Sequence, residues 1–411
     1  MNSKLKLLFV SRDTFPPFRV DVKVLFGQEL AGRGWLIDWL LQSEAHCERA
    51  YQTVWSGGRV WVGKTVMGET RIKRLRKYIH GILHDCKILR LSLLNRYDFI
   101  QIKDKFISPL TAILASKLFG SSFLYWLSYP FPESNLYAVK TNTARYPAFY
   151  YIRGQLTRFL LYKVIMQKAE HIFVQSEQMK KDIALMGIPE KKMTAVPMGV
   201  NLDDIPYHLP DHPEPAKEKI VLYLGTLEKI RRLDFLIRVF EKVLQRHPEA
   251  QLHLVGRGND PSDEDFLREE TFKLGIQDSV FFKGFLPMHE AWKLVSQAQV
   301  CASPFYPTPI LNSTSPTKIV EYMAMGKPVV ANDHPEQRLV ISESGAGQCV
   351  PYTVEAFADA ISDLLGNPEK AAEMGRRGRF YVERKRTYKT IADLVETEYL
   401  YLFRDRRYTK T

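Results

Sequence analysis

Residues 311–331 combine, in one short stretch, residue types that could hold an anion beside a polyol. Ser315 could cap a helix, Pro316 suits the first helical position, and Gly326 can end the helix in the left-handed conformation. The apolar run 328–331 that follows is typical of a buried strand. The stretch therefore predicts a loop, a helix of about three turns and a strand.

The predicted helix has one apolar face and one polar face. At about 100° per residue, four apolar side chains share a face that would pack inward: Ile319, Val320, Met323 and Ala324. Thr317, Lys318 and Glu321 cluster on the opposite face. Free backbone N–H groups at 315–318, the helix dipole and Lys318 would attract a diphosphate, and Glu321 could accept hydrogen bonds from a sugar or ribose diol. The alternative is a capped amphipathic helix with a solvated charged face, and the motif alone leaves both open.

The composition indicates a globular protein of two domains. The chain has 411 residues, 45% of them hydrophobic, and a formal net charge of +12. It contains no run of 18 uncharged apolar residues, and residues 1–10 are interpreted as a first strand instead of a signal peptide. The cysteines Cys47, Cys86, Cys301 and Cys349 are scattered without metal-binding spacing, which fits a reducing compartment. We expect a cytoplasmic protein with four free thiols and no metal site.

The excess positive charge is concentrated in residues 71–96. Eight basic residues there face a single acidic one, Asp85. They are Arg71, Lys73, Arg74, Arg76, Lys77, Lys87, Arg90 and Arg96. Apolar residues recur between them at helical spacing, which predicts a basic amphipathic helix that could lie on the inner face of an anionic membrane. The alternative, which we favour for the apolar side, is an ordinary surface helix packed on the core. No nucleic-acid-binding motif accompanies the charge, so no nucleic acid partner is expected.

Strand-like and helix-like segments alternate along the chain, which predicts an α/β fold of two doubly wound, Rossmann-like domains. The boundaries that we predict are 1–202 for the first domain, 203–219 for a proline-rich linker and 220–385 for the second domain. A terminal aromatic helix, 386–411, is expected to pack back on the first domain. Parallel sheets bind ligands at the carboxyl ends of their strands, so two such domains in tandem should face each other across a cleft.

Two glycine motifs are not interpreted as nucleotide-binding sites. Residues 58–65 match the phosphate-binding loop pattern, ending at Lys64, letter for letter. However, Val60, Trp61 and Val62 favour a strand, so a β-hairpin turning at 57–58 is the better interpretation. Val255-Gly256-Arg257-Gly258 resembles half of a dinucleotide fingerprint, but the third glycine is absent. This motif is interpreted as a turn at a strand end.

A set of spaced motifs in the second half resembles glycosyltransferase family 4, the group 1 retaining transferases. The motifs are Gly225-Thr226-Leu227, Arg231 to Ile237, Leu254-Val255-Gly256-x-Gly258, Val280 to Phe285, Ser303-Pro304 and Glu321 to Ala331. Val196 to Asn201 is similar to the family's interdomain signature, whereas residues 1–170 match only in general layout. The resemblance implies the GT-B type of fold, with a nucleotide-sugar donor held mainly by the second domain.

The resemblance also implies roles for individual residues. Glu321 matches the second glutamate of the family's paired motif, which binds the ribose, and Arg231 stands where the family carries a phosphate-binding lysine. The turn of Phe285 and Leu286 matches the segment whose backbone reads the base. The expected binding set is Gly225, Thr226, Arg231, Gly256, Phe285, Leu286, Ser315, Thr317, Lys318 and Glu321. Arg231, Lys318 and Glu321 are the expected catalytic residues.

The chain departs from the family pattern at four places. Ser313 occupies the position of the first glutamate, Thr226 that of a frequent arginine and Ser128 that of a strand-end histidine. The glycine pair of the family's first loop is missing from 15–24. Lys318 and the backbone amides at the helix start would have to compensate for the missing groups.

The expected activity is retaining, metal-independent transfer of a sugar from a nucleotide diphosphate sugar to a lipid-linked or surface-glycan acceptor, without a cofactor. Arg231, Lys318 and the helix dipole would balance the charge of the leaving diphosphate. The protein would associate peripherally with the inner face of the membrane. A nucleotide-sugar epimerase or phosphorylase of the same fold, and a non-catalytic subunit of glycan assembly, are the alternatives.

Overall fold

The computed structural model of the protein describes residues 5–65, 68, 70–205, 207 and 219–408. Most of the predicted linker, 203–219, lies outside these residues. Internal contacts divide the chain into two units, which are 1–197 with 388–411, and 198–387. Each unit is built around its own sheet.

The first unit contains, within its described residues, an eight-stranded sheet in the order β3-β4-β2-β1-β5-β6-β7-β8. The strands are β1 (Lys6–Phe15), β2 (Leu36–Ser43), β3 (Tyr51–Trp55), β4 (Gly58–Gly63), β5 (Phe99–Lys103), β6 (Ser122–Leu127), β7 (His171–Val174) and β8 (Met193–Ala195). All neighbouring pairs are parallel except β3 and β4. The central strands are apolar on both faces because helices cover both sides of the sheet.

The helices of the first unit follow its strands. They are α1 (Val20–Lys23), α2 (Arg71–Asp85), α3 (Lys87–Asn95), α4 (Ser108–Phe119), α5 (Phe131–Lys140), α6 (Pro147–Phe159), α7 (Met166–Lys168) and α8 (Glu177–Ala184). Two π-helical segments, Leu25–Leu30 and Leu160–Ile165, continue α1 and join α6 to α7. Residues of α3, α4, α7 and α8 share one core cluster and therefore cover the same face of the sheet.

Strands β3 and β4 form the hairpin that the sequence predicts in place of a phosphate-binding loop. They pair antiparallel from Tyr51 with Val62 to Trp55 with Gly58. A side chain is excluded at Gly58, because an added Cβ would lie 1.6 Å from the carbonyl oxygen of Ile37. The glycine therefore serves close packing of β4 on β2 and not the binding of phosphate.

The second unit contains a parallel sheet of six described strands in the order β11-β10-β9-β12-β13-β14. The strands are β9 (Ile220–Leu224), β10 (Gln251–Val255), β11 (Val280–Gly284), β12 (Val300–Ser303), β13 (Val329–Asn332) and β14 (Gly347–Val350). The helices are α9 (Asp234–Leu244), α10 (Pro261–Lys273), α11 (Met288–Gln297), α12 (Pro309–Asn312), α13 (Thr317–Ala324), α14 (Pro335–Ser344), α15 (Val354–Gly366) and α16 (Pro368–Lys385). The order reverses between β9 and β12, which is where ligands bind in open parallel sheets.

The last helix, α17 (Tyr388–Tyr408), belongs to the first unit. The ring of its buried Tyr399 packs against Trp35 and Phe99, with centroid distances of 5.1 Å to Trp35 and 5.0 Å to Phe99. The Tyr399 hydroxyl donates a hydrogen bond to Gln101. The chain thus returns to its first sheet after completing the second. In the described part of the chain, no helix combines the length and the apolar character that a membrane span requires.

Candidate active site

Three glycine turns meet at the carboxyl edge of the second sheet. Gly225 follows β9 with φ of +154° and Gly256 follows β10 with φ of +136°, conformations that favour glycine. A Cβ on Gly256 would lie 1.9 Å from the carbonyl oxygen of Gly225. The Gly225 amide donates to Val255, and the Gly256 amide donates to Gly284 at 2.8 Å. The backbone therefore forms a closely packed, side-chain-free floor at this edge.

Lys318 and Arg231 lie 87 positions apart in the chain, and the structure brings both to this edge. The Lys318 ammonium donates a hydrogen bond of 2.8 Å to the hydroxyl of Tyr223 and lies 4.0 Å from that ring's centroid. It also lies 5.2 Å from the ring centroid of Phe305, and the Arg231 guanidinium lies 5.8 Å from the same centroid. Arg231 is held by a hydrogen bond to the Thr226 hydroxyl at 3.2 Å. Two cations therefore share one aromatic ring.

The electrostatics of this pair favour an anionic ligand. Burial lowers the pKa of Lys318 well below its ordinary value, and the Arg231 charge lowers it further, while Glu321 opposes the shift. Two cations that repel each other in a partly desolvated site gain stability when an anion is placed between them. A diphosphate placed there would raise the pKa of Lys318 and stabilise its charged form.

Glu321 lies one turn further along α13 and is half-buried. Burial raises the pKa of its carboxyl to about 7, against the opposing effect of Lys318. Among the described residues, none donates a hydrogen bond to this carboxylate. Its acceptor capacity is therefore open to a ligand, and a diol that donates to it would favour the ionised form.

The start of α13 differs from the prediction. Ser315 does not cap the helix; its buried hydroxyl accepts a hydrogen bond of 3.0 Å from the Met198 amide. The helix begins at Thr317, spans eight residues instead of three turns, and has Pro316 at its N-cap without a side-chain cap. The cap prediction was wrong because the Ser315 hydroxyl accepts a hydrogen bond from a backbone amide of the second unit that lies outside this helix. Within the described residues no side chain accepts a hydrogen bond from the first-turn amides, as an anion-binding helix start requires.

The two faces of α13 and its end agree with the sequence pattern. All four predicted apolar positions are buried, whereas Thr317, Lys318 and Glu321 are half-buried. Gly326 ends the helix with φ of +67°.

The position of the missing glutamate offers no charged group. Ser313 is buried at 3% exposure and ends α12, a short helix that the sequence did not indicate. The neighbouring Leu311 carbonyl contacts Nε2 of His334 at 2.8 Å, and burial lowers the pKa of that histidine. A neutral imidazole therefore fixes the segment that would carry the first glutamate.

The turn after β11 presents an aromatic ring. Phe285 is 68% exposed and the Arg257 guanidinium lies 4.9 Å from its ring centroid, while Leu286 packs partly against the core. Gly284 precedes it with φ of +69°. An exposed ring and a cation beside the glycine floor are suited to stacking on a planar base.

Sequence reasoning missed Tyr223 and Phe305, the two rings that hold Lys318. Tyr223 is fully buried within β9, where its residue type is that of an ordinary core aromatic. Phe305 stands just after β12, and this position at a strand end was the one available signal.

The substitution at Ser128 is also explained locally. Ser128 follows β6 in the first unit, and both its amide and its hydroxyl donate to the Asp104 carboxylate, the amide at 2.8 Å. Asp104 in turn lies 3.6 Å from the buried Lys103 ammonium. The serine thus belongs to a closed polar network at the carboxyl edge of the first sheet.

The helix α2 corrects the interpretation that we favoured for residues 71–96. Its apolar face does not pack on the core: Leu75, Tyr78, Ile79 and Leu83 are exposed, at 45–62%. The helix continues through Gly81 to Asp85, and α3 begins at Lys87 after Cys86. The side chains of Arg71, Ile72 and Arg74 lie outside the described residues. Lys73, Arg76 and Lys77 are exposed beside the apolar face.

Comparison with known proteins supports the resemblance. Residues 204–380 match the family model described as glycosyl transferases group 1. A D-inositol 3-phosphate glycosyltransferase of Corynebacterium aurimucosum is 27% identical over 39% of this chain and 38% of its own length. A phosphatidyl-myo-inositol mannosyltransferase of Mycobacterium leprae is 31% identical over 42% of this chain and 44% of its own. The chain thus spans less than half the length of these relatives.

Two solved structures resemble the whole chain. Sucrose-phosphate synthase from Thermosynechococcus elongatus has a TM-score of 0.73 at 21% identity and covers 98% of this chain and 100% of its own. HepE from Anabaena, solved with UDP, has a TM-score of 0.67 at 15% identity and covers 96% of this chain and 99% of its own. These likenesses show the GT-B fold of two Rossmann-like units. Residues 204–380 are thus similar to the group 1 glycosyltransferases, and the chain as a whole has the GT-B fold.

Proposed function

We propose that the protein transfers a sugar from a nucleotide diphosphate sugar to a lipid-linked or glycan acceptor. The observation that carries this proposal is the meeting of Lys318 and Arg231 over the Phe305 ring, at the carboxyl edge where α13 begins without a cap. Glu321 lies one turn away with an open carboxylate. A nucleoside diphosphate matches this arrangement of cations, amides and acceptor.

In the proposed reaction, the bond between the sugar and the diphosphate breaks and negative charge accumulates on the leaving oxygen. Lys318, Arg231 and the α13 amides are positioned to stabilise that charge without a metal ion. We further propose retention of configuration, with the acceptor attacking from the face that the diphosphate leaves. Such a step needs positioning and charge stabilisation more than a protein nucleophile.

We propose that the acceptor lies at a membrane and that α2 contacts its inner, anionic surface. The exposed apolar face of α2, with Lys73, Arg76 and Lys77 beside it, supports this contact. Relatives named for inositol 3-phosphate and phosphatidyl-myo-inositol acceptors make inositol compounds the first acceptors to assay.

The test is a donor screen followed by product analysis. Thermal shifts with a panel of UDP-, GDP- and ADP-sugars should identify one donor that raises the Tm. That donor should then release nucleoside diphosphate faster when inositol 3-phosphate or a lipid extract is added, with EDTA making no difference. Release with inorganic phosphate alone would indicate a phosphorylase, a changed sugar without release would indicate an epimerase, and binding without turnover would indicate a non-catalytic subunit. Each of these outcomes would overturn the proposal.

A further inference from the structure

The helix α6 stands on the first unit with only one end anchored in the core. It continues through the π-helical segment Leu160–Ile165 into α7, and four side chains of this continuation are buried in the core. These are Leu161, Tyr162, Ile165 and Met166. The preceding three turns, Pro147–Phe159, bury only Gly154. The helix is therefore anchored in the core by its continuation, packs against α5 along one side and is open along the other.

The open part carries an apolar stripe. Phe149, Ile152, Leu156 and Phe159 are each 59–65% exposed. At 100° per residue they fall within an arc of about 80°. Gly154 lies on the other side and packs against α5, since a Cβ there would lie 2.8 Å from Leu136. Single exposed apolar residues are common on protein surfaces, but four in one line form a contiguous patch of the kind that marks a binding surface.

The charge around this stripe has one sign. Residues 140–168 contain six basic side chains and no acidic one: Lys140, Arg145, Arg153, Arg158, Lys163 and Lys168. In this fully described segment, only Arg158 forms an ion pair, with Glu133 at 3.8 Å. Arg145 lies one turn before Phe149 and Lys163 one turn after Phe159, so exposed cations frame the stripe at both ends.

We propose that α6 docks on an anionic lipid bilayer, with this stripe inserted between the headgroups and its cations on the lipid phosphates. An aromatic and aliphatic face bordered by unpaired cations is the pattern of a helix that lies in the plane of such a surface. A second copy of the chain is the less suitable partner, because a two-fold contact through the stripe would bring like charges together.

A second helix on this face of the sheet supports the same partner independently. α4 covers the same face of the sheet as α7, and its Leu110, Leu114 and Leu118 are exposed at successive turns. The outer side of this helix layer thus presents a second apolar line. The membrane contact of α6 is separate from the contact proposed for α2 and does not depend on glycosyl transfer.

The experiment is sedimentation of the full chain with vesicles of phosphatidylcholine containing about one third phosphatidylglycerol. The variant Phe149→Gln, Ile152→Gln, Leu156→Gln keeps helix-forming residues and should reduce partitioning by about tenfold or more. A control variant, Leu185→Gln, Phe272→Gln, Phe380→Gln, removes three apolar side chains elsewhere that are 58–85% exposed, and it should change partitioning less than about twofold. Equal sedimentation of the α6 variant and the wild type would overturn the proposal.

A second measurement avoids the risk that the triple variant misfolds. Ile152→Cys, in a Cys86→Ser background and carrying a polarity-sensitive fluorophore, should show a blue shift with anionic vesicles and little shift with pure phosphatidylcholine. The same label at Phe272→Cys should not respond. No shift at position 152 would overturn the proposal. It would also be overturned if the wild type formed an oligomer without lipid and the triple variant did not. Nucleotide binding measured on the same samples reports separately on the proposed function.

Discussion

Lys318 owes its chemistry to the two rings that the fold places around it. The Tyr223 hydroxyl accepts a hydrogen bond from Lys318, and the Phe305 ring lies beside both Lys318 and Arg231. The two cations therefore lie close together in a partly desolvated site, which favours the binding of an anion. The pKa of Lys318 is lowered by burial and by Arg231. Binding of a diphosphate should therefore raise the pKa of Lys318 and stabilise its charged form.

Replacement of Lys318 or Arg231 by alanine should lower turnover more than donor affinity. In the proposed reaction both cations act on charge that increases as the diphosphate leaves, so their effect should be larger in the transition state than in the bound donor. We expect each single change to reduce kcat by about 10²–10³-fold, as for other charge-stabilising groups. The loss of kcat in the double variant should be smaller than the product of the two single losses, because both side chains are proposed to act on one leaving group.

Steady-state kinetics of the four proteins in this cycle provide the measurement. Additive free energies would show that the two cations act on different groups. A rise in KM with unchanged kcat in both single variants would contradict a role in leaving-group stabilisation.

Glu321→Gln should weaken nucleotide binding by about 1.5–3 kcal/mol, the value of charge-assisted hydrogen bonds, without unfolding the protein. The effect should depend on pH. Burial raises the pKa of Glu321 to about 7, so its proton stabilises the free fold at low pH, and this contribution is lost as pH rises through 7. If the ionised carboxylate binds the ribose diol, as we propose, wild-type affinity should fall by up to tenfold per pH unit below pH 7.

Calorimetric titration with a nucleoside diphosphate between pH 5.5 and 8 measures this dependence. The terminal phosphate of the ligand also titrates near pH 6, and Glu321→Gln is the matched control that isolates the carboxyl. Wild-type affinity in the Gln variant, or the same pH profile in both proteins, would remove Glu321 from the site.

The helix α13 shows which local features sequence can predict. Its apolar face, its charged face and its glycine end follow from periodicity and left-handed geometry, and all three are present. Its first residue was predicted wrongly, because Ser315 is an ordinary capping residue whose hydroxyl is taken by the amide of Met198. A tertiary hydrogen bond of this kind has no signature in the local sequence.

The hairpin β3-β4 leads to a paired prediction. Lys64→Ala should leave nucleotide affinity within about twofold of wild type, because Lys64 is an exposed residue after a strand and not a phosphate ligand. Gly58→Ala should lower the free energy of unfolding by about 2 kcal/mol or more, since its Cβ would clash with the Ile37 carbonyl. Thermal unfolding and nucleotide titration separate the two effects. A large loss of nucleotide binding in Lys64→Ala would restore the phosphate-loop interpretation.

The helix α2 should bind anionic vesicles through its cations. With about 1 kcal/mol for each basic residue near such a surface, reversing Lys73, Arg76 and Lys77 to Glu should reduce binding by about 100-fold, and salt should weaken wild-type binding. Co-sedimentation gives the measurement. Reversal of Lys273, Lys293 and Lys385, three exposed lysines of the second unit, is the control for net charge. Equal losses in both variants would mean that α2 has no specific contact.

Over the whole chain, alternating strands and helices predicted the α/β class and the family motifs predicted the GT-B fold, which the solved structures confirm. Two short elements escaped prediction: α12 and β14 have four residues each, and neither carries an apolar run like the one that predicted β13. The exposure of α2 and α6 also escaped it, since an apolar stripe looks the same whether it faces a core or a membrane. Tyr223 and Phe305 could not be assigned to the Lys318 site from the sequence either, because only the tertiary structure brings these rings to that lysine.

The most direct test of the account is calorimetric titration of the full chain with UDP, GDP and ADP at pH 7.5, compared with Lys318→Ala. We predict that one nucleoside diphosphate binds with a Kd of about 10⁻⁵ M or tighter, near the usual range for enzyme substrates. Lys318→Ala should weaken that binding by about tenfold or more while unfolding at a similar Tm. Absence of binding at millimolar nucleotide by a folded wild-type protein, or equal Kd values in the two proteins, would contradict the assignment of the donor site to this edge of the second sheet.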